Sequence, residues 1–301
     1  MNARNSIRFP AAMPFHFKRA ESPVRAVRRA CRAHIGGALA RLRKSRHPAA
    51  VHGARKEIKK LRAILQLMRG KTGRGAKALR RAARRLAAPR DARATLKAFE
   101  KLPSAPARFA EIHAALKKNF HRETRRFRDK DSVALAERIL RKAGRRISGL
   151  KIKGAGWTAL EPGLRRTYRR GRQAGKLAGR EPSPENLHAW RKQVKNLWCQ
   201  LRLLCPEWPP AVRAMTDQLD RLGDRLGDDH DLFLLQQFIA DHCAGKVAEA
   251  KALNQLIVSR RKKLRASASK LGARLYAEAP ATVCAQLEKA WNVWRGGAGR
   301  H

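Results

Sequence analysis

Acidic side chains are scarce in this chain. Asp and Glu number 23 against 70 Lys and Arg, for a formal net charge of +47, and only Glu21 and Glu57 are acidic within the first 90 residues. Intrahelical ion pairs therefore cannot neutralise the basic runs there. Aromatics make up 6% of the chain. The five cysteines (Cys31, Cys199, Cys205, Cys243 and Cys284) are odd in number and include no Cys-x-x-Cys pair. This argues against a disulfide framework and a zinc knuckle, and fits a reducing compartment. No apolar run approaches the ~20 residues that cross a bilayer. The tail from Met1 to Ala20 lacks an apolar stretch of signal-peptide length. The expectation is a soluble, cytoplasmic protein. No segment alternates with period two over more than a few residues, and Val and Ile are thin, which excludes a β architecture. Missing too are Gly-x-x-x-x-Gly-Lys-Ser/Thr, His-Glu-x-x-His and any carboxylate pair at helical spacing on a basic face. Cys31 beside Arg32 has no identifiable partner base. Neither catalysis nor a cofactor or metal is expected.

What the chain does have is a core and two matching basic stripes. It is 43% hydrophobic over 301 residues, enough to bury an interior. On a helix at ~100° per residue, His52, Arg55, Lys56 and Lys59 share one face, while Ala54, Ile58, Leu61, Leu65 and Met68 share the opposite one. Lys60 and Arg62 add charge to the same helix. At one constant offset, His188, Arg191, Lys192 and Lys195 repeat the spacing, backed by Trp190, Val194, Leu197, Leu201 and Leu204, with Arg202 further along. Such a row of imidazole, guanidinium and ammonium donors suits an extended anion lying along the helix.

Taken in order, residues 1–21 read as a flexible basic tail. Ser22-Pro23 is a cap followed by proline at the first helical position, opening a helix with Arg25, Arg28 and Arg29. The first stripe follows His47-Pro48. Gly70, Gly73 and Gly75 mark a break, and Pro89 interrupts the next helix before a restart at Arg90-Asp91. Helices are expected over about 107–128 and 132–147, with a linker at 149–156. The second half opens with Arg166, Tyr168, Arg169, Arg170 and Arg172 on a helix matching that of Arg25. The second stripe ends at Cys205-Pro206. A long helix runs to Leu226, Asp229-His230-Asp231 restarts it, and two helices close the chain before a frayed end at 296–301. Short Pro/Gly connections favour antiparallel neighbours in an all-α fold.

The chain resembles the CHAD domain, the conserved-histidine α-helical domain. The resemblance rests on four pieces. Two are His52-x-x-Arg55-Lys56-x-x-Lys59-Lys60-Leu61-Arg62 and His188-x-x-Arg191-Lys192-x-x-Lys195-Asn196-Leu197. The third is Leu160-x-Pro162-Gly163-Leu164-Arg165-Arg166-x-Tyr168-Arg169-Arg170-Gly171-Arg172. The fourth is the pair Leu86-x-x-x-Arg90-Asp91 and Leu226-Gly227-x-x-His230-Asp231. The likeness covers about 22–295, with one repeat over about 22–150 and another over 157–295. It implies two helical bundles from an internal duplication, related by a pseudo-twofold, with basic helix faces lining a central cleft. It also implies binding of inorganic polyphosphate and association with polyphosphate granules. The Glu-x-Glu-x-Lys signature of the triphosphate-tunnel enzymes fused to some relatives is absent. Asn196 and Trp198 replace Lys60 and Arg62, and His230 replaces Arg90, so the second stripe is the thinner one.

Each feature has a bland reading beside the functional one. His52 and His188 either pack at a helix start or donate to phosphate oxygens, where an anion would favour the imidazolium. Trp190 and Trp198 belong to the core in one reading and stack on bases in the other. Asp217, Asp220, Asp224, Asp228, Asp229 and Asp231 either orient neighbouring arginines such as Arg221 and Arg225 or hold a divalent metal. Two rival functions follow. One is a nucleoid-type nucleic-acid-binding protein, or at least weak non-specific nucleic-acid binding. The other is a metal-dependent polyphosphate phosphohydrolase. The sequence leaves the oligomeric state open.

Overall fold

A computed structural model describes residues 16–44, 48–68, 73–129, 132–148, 155–205, 207–243 and 247–296. Most of the expected tail, most of the 149–156 linker and most of the C-terminal end fall outside these residues. Those described form twelve α-helices, one short 3-10 helix at Gly156–Ala159 and no strand. The helices are α1 Pro23–Lys44, α2 Pro48–Leu67, α3 Gly73–Arg85, α4 Ala88–Glu100, α5 Ala105–Arg108, α6 Ala110–Asp129, α7 Ser132–Ser148, α8 Glu161–Arg180, α9 Pro184–Leu204, α10 Pro210–His242, α11 Val247–Leu275 and α12 Pro280–Gly296.

The Ser-Pro device starts two of them. Ser22 Oγ accepts from the Arg25 N–H at 3.4 Å ahead of α1, and Ser183 Oγ accepts from the Asn186 N–H at 3.1 Å ahead of α9. Each satisfies a first-turn donor that the helix leaves open, and the following proline forfeits no bond. Two expected punctuation marks are absent. Gly73 and Gly75 lie inside α3 rather than in a break. Asp231 lies inside α10, which runs unbroken for 33 residues, rather than at a restart. The reason is local: Pro89, in the first turn of α4, lacks the backbone donor that would have continued α3, whereas Gly227, Asp228 and Asp229 at the corresponding positions of α10 can all stay helical. The expected 107–128 helix is divided into α5 and α6.

The apolar interior does not divide at the linker. The larger cluster combines α1, α2, α3 and α7 with α8, α9, α12 and the first half of α10. The smaller one joins Phe99, Phe109, Ile112 and Leu116 to Leu235, Ile239, Leu253 and Ile257, mixing α4–α6 with the end of α10 and α11. Polar contacts also cross between the sequence halves. Gln200, fully buried, donates its Nε2–H to the Ala63 carbonyl at 3.0 Å. The Phe17 N–H donates to Leu203 O at 2.9 Å. At Gly163 any Cβ would fall on the Leu67 carbonyl, so the start of α8 abuts the end of α2 backbone to backbone. These contacts fix α2 against α9, and that places the two stripes.

Candidate functional site

Along α2, Ala54, Ile58, Leu61, Leu65 and Met68 are buried, as the periodicity requires. Lys59 is exposed, and His52, Arg55, Lys56, Lys60 and Arg62 are half-buried. Arg55 donates through Nη1 to the Ala83 carbonyl of α3. Glu57, one of the two early acids, points inward. Its Oε2 lies 2.6 Å from Nδ1 of the buried His34, and its Oε1 lies 3.6 Å from Lys60 Nζ. Burial pushes the Glu57 carboxyl up, but the His34 hydrogen bond and the charges of Lys60, His34 and Arg41 hold it below its ordinary value. The single acid of this stripe is thus spent on the interior. Burial, then the charges of Lys60, Arg41 and Lys195, lowers the Lys56 ammonium pKa, with Glu57 opposing. Burial and Arg80 lower that of Arg62.

The second stripe packs more tightly. Arg191 Nε donates to the Gly223 carbonyl of α10 at 3.3 Å, and a Cβ at Gly227 would come within 2.8 Å of the same guanidinium. Lys195 lies over Gly223, with Nζ 2.9 Å from Asp220 Oδ1 and 3.0 Å from Asp224 Oδ1. The Trp198 ring is 5.2 Å from that ammonium and 5.0 Å from the Arg202 guanidinium. Lys192 is exposed. The His188 and His230 rings sit 4.7 Å apart, and His188 Nδ1 is buried without a hydrogen-bond partner. Burial, then the charges of His230, Lys192, Arg191 and Lys59, pushes the His188 pKa down to about 4. His188 is therefore neutral near pH 7 in the absence of an anion.

The two stripes share one electrostatic field. Lys195 of α9 acts on Lys56 of α2, and Lys59 of α2 acts on His188 of α9. Cys199 feels Lys195, Lys60 and Arg202 together. Cations from both helices thus gather in one region, where their repulsion adds to burial in lowering the proton affinity of Lys56 and His188.

The remaining predicted residues are more dispersed. Arg25 is exposed and Arg28 half-buried on α1. Arg29 is tied to Glu21, Nε to Oε1 at 2.9 Å, and to the His16 carbonyl at 2.9 Å. On α8, Arg169 and Arg170 are exposed. Arg166 donates to Gln66 O at 3.1 Å, and Arg172 to Ala277 O at 3.3 Å. In that same segment Tyr168 is buried, its hydroxyl 3.1 Å from Leu275 O and 3.2 Å from Glu278 O, and Gly171 makes room for the Tyr276 hydroxyl. Tyr168 and Gly171 therefore dock α8 on the turn between α11 and α12. The Arg90 side chain lies outside the described residues.

Trp190 and Trp198 are buried, 2% and 4% exposed, so their faces belong to the core rather than to a stacked base. Cys31 is buried and its thiol is pushed up to about 12, which suppresses the thiolate. The acids of α10 do hold cations, but on other helices rather than at Arg221 or Arg225. Asp220 and Asp224 take Lys195, and Asp228 takes Lys101 at 3.1 Å. Buried Asp229 takes Arg261 at 3.0 Å and Arg265 at 2.9 Å. The partners come from α9, α11 and the end of α4, which pack against α10. Two residues beyond the predicted set join the first stripe: Arg41 of α1, packed over Gly53, and Arg80 of α3 beside Arg62. Their position follows from helix packing, and the sequence showed only that both lie in basic runs.

No helix of the described residues is long and apolar enough to cross a membrane. A family model for the CHAD domain matches residues 26–240, from early α1 to nearly the end of α10. No curated protein matches the chain.

Proposed function

The chain belongs to the CHAD-domain family, and from that membership we propose that it is a non-catalytic module binding inorganic polyphosphate. The observation that carries this reading is the mutual electrostatic influence of the two stripes: Lys195 on Lys56, and Lys59 on His188. Clustered cations with few counter-charges are costly alone and are relieved by a polyanion. An extended phosphate chain offers about one charge per phosphate and asks only for charge and hydrogen-bond donors. We read the stripes as two copies of one duplicated unit lining a basic cleft. Supporting this, Arg55 and Arg191, equivalent in the stripes, both donate to main-chain carbonyls of the following helix, Ala83 and Gly223. The burial of Trp190 and Trp198 weighs against base stacking. In a cell that stores polyphosphate, such a module would place the protein at cytoplasmic granules.

The test is a titration of the full chain with long polyphosphate, competed by duplex DNA, RNA and ATP over a range of salt. Binding should weaken linearly in log–log form with salt, the slope reporting ion contacts, and DNA at matched charge should fail to displace polyphosphate. A flat slope or displacement by DNA overturns the reading. Phosphate release in Mg2+ or Mn2+ would make the protein a hydrolase instead.

A further inference from the structure

Resting on the polyphosphate reading, we propose that Asp220 and Asp224 of α10 form an autoinhibitory clamp on Lys195, an internal stand-in for phosphate that the ligand must displace to occupy the second stripe. The geometry is built for this. Asp220 and Asp224 are one helical turn apart and face the same side. Gly223 lies between them, and a Cβ there would come within 2.6 Å of Lys195 Cε. The glycine lets the lysine stem lie flat on α10 and reach both carboxylates, at 2.9 and 3.0 Å. An ammonium has three donors. Two are taken by these oxygens, and the Trp198 ring stands 5.2 Å off. One donor remains beside that ring, so a phosphate takes more than a single hydrogen bond from Nζ only if a carboxylate lets go. The clamp is open enough for that: side-chain exposure is 29% for Lys195, 39% for Asp220 and 69% for Asp224, so Asp224 is the looser jaw.

The first half carries the opposite sign. Pairing Leu86…Asp91 with Leu226…Asp231 sets Asp220 against Arg80 and Asp224 against Arg84, and both arginines are exposed. An anion therefore meets reinforcing charge beside α2 and a competitor beside α9. The clamp ranks the two stripes, with the first filling before the second, and sets a threshold of chain length or concentration for engaging Lys195.

The experiment measures polyphosphate affinity of the full chain for wild type, Asp220→Asn/Asp224→Asn, the same pair with Lys195→Met, and Asp217→Asn/Asp241→Asn, two exposed acids of α10. The last pair makes the same charge change on α10 without touching Lys195. Asparagine is nearly isosteric, and circular dichroism checks each fold. The clamp-free protein should bind long polyphosphate about tenfold tighter, with a salt slope steeper by about one ion contact. The gain should vanish with Lys195→Met, and the control pair should stay within about twofold of wild type. Equal gains in both aspartate pairs, or a gain that survives Lys195→Met, mean a general field effect and overturn the clamp. Wild-type binding with no gain in the clamp-free protein overturns the clamp and leaves the polyphosphate reading standing. Binding by none of the four overturns both.

Discussion

The Asn196 side-chain amide donates to Gln66 Oε1 at 2.9 Å, joining the second stripe helix to the first. Asn196 stands where the first stripe has Lys60. A second lysine there would bring one more ammonium against the cations already gathered, so the apparent thinning of the second stripe is also what lets the two helices meet. Gln200, one turn on, completes the seam by donating to Ala63 O at 3.0 Å. Replacing Gln200 with Ala should cost about 1–3 kcal/mol, because it removes a buried hydrogen bond and the side chain that fills the seam. Urea unfolding of the variant checks this, and an unchanged midpoint would mean that the seam contributes nothing.

Gly163→Ala should be more damaging than its exposed-helix propensity suggests. The added methyl would land on the Leu67 carbonyl, which is backbone and cannot rotate away. Overpacking of this kind costs roughly 1–3 kcal/mol or more. Gly179→Ala, on the same helix with nothing within 4 Å of its Cβ position, should be neutral or stabilising. Thermal melts of the two variants side by side give the comparison.

The pH response follows from His188. Its folded pKa is about 4, through burial first and then His230, Lys192, Arg191 and Lys59, against an unfolded value of ~6.5. Between those values the unfolded chain binds the proton and the folded chain does not, so stability falls as pH drops through that window. Anion binding acts the other way. It offsets the neighbouring cations, raises the His188 pKa and takes up a proton, so polyphosphate should bind more tightly as pH falls. The gain should continue toward pH about 4 instead of levelling near ~6.5. A His188→Asn variant should lose part of both effects. Superimposable pH profiles for variant and wild type would remove His188 as their source.

Chain length separates one bridged site from two independent ones. Arg55 and Arg191 each hold a backbone carbonyl, so charge reversal there confounds binding with folding. Exposed Lys59 and Lys192 are the cleaner targets. Lys59→Glu should weaken long polyphosphate by more than about tenfold and a short oligophosphate by only a few-fold. The reason is that bridging makes the second contact intramolecular. Lys192→Glu, in the thinner stripe, should affect short chains less. If each variant loses the same factor at every length, the stripes act separately.

Most of the helices, their basic and apolar faces, and the matching of His52–Lys59 with His188–Lys195 were legible in the chain alone, whereas the continuity of α10 and the division between α5 and α6 were not. Periodicity, Ser-Pro caps and the Pro89 break are local signals, and a helix of this length obeys local chemistry. Packing decided which of those charges remain available. Arg29 is drawn away by Glu21, Lys195 by Asp220 and Asp224, and Glu57 by His34. His188 becomes a weak base because packing buries it and then sets His230 of α10 and Lys59 of α2 beside it. Arg41 and Arg80 join the first stripe only because α1 and α3 lie against α2. Apart from the Arg29–Glu21 pair, each of these depends on a residue of another helix, and one helix's periodicity carries no information about which neighbour will cover it or with what sign of charge.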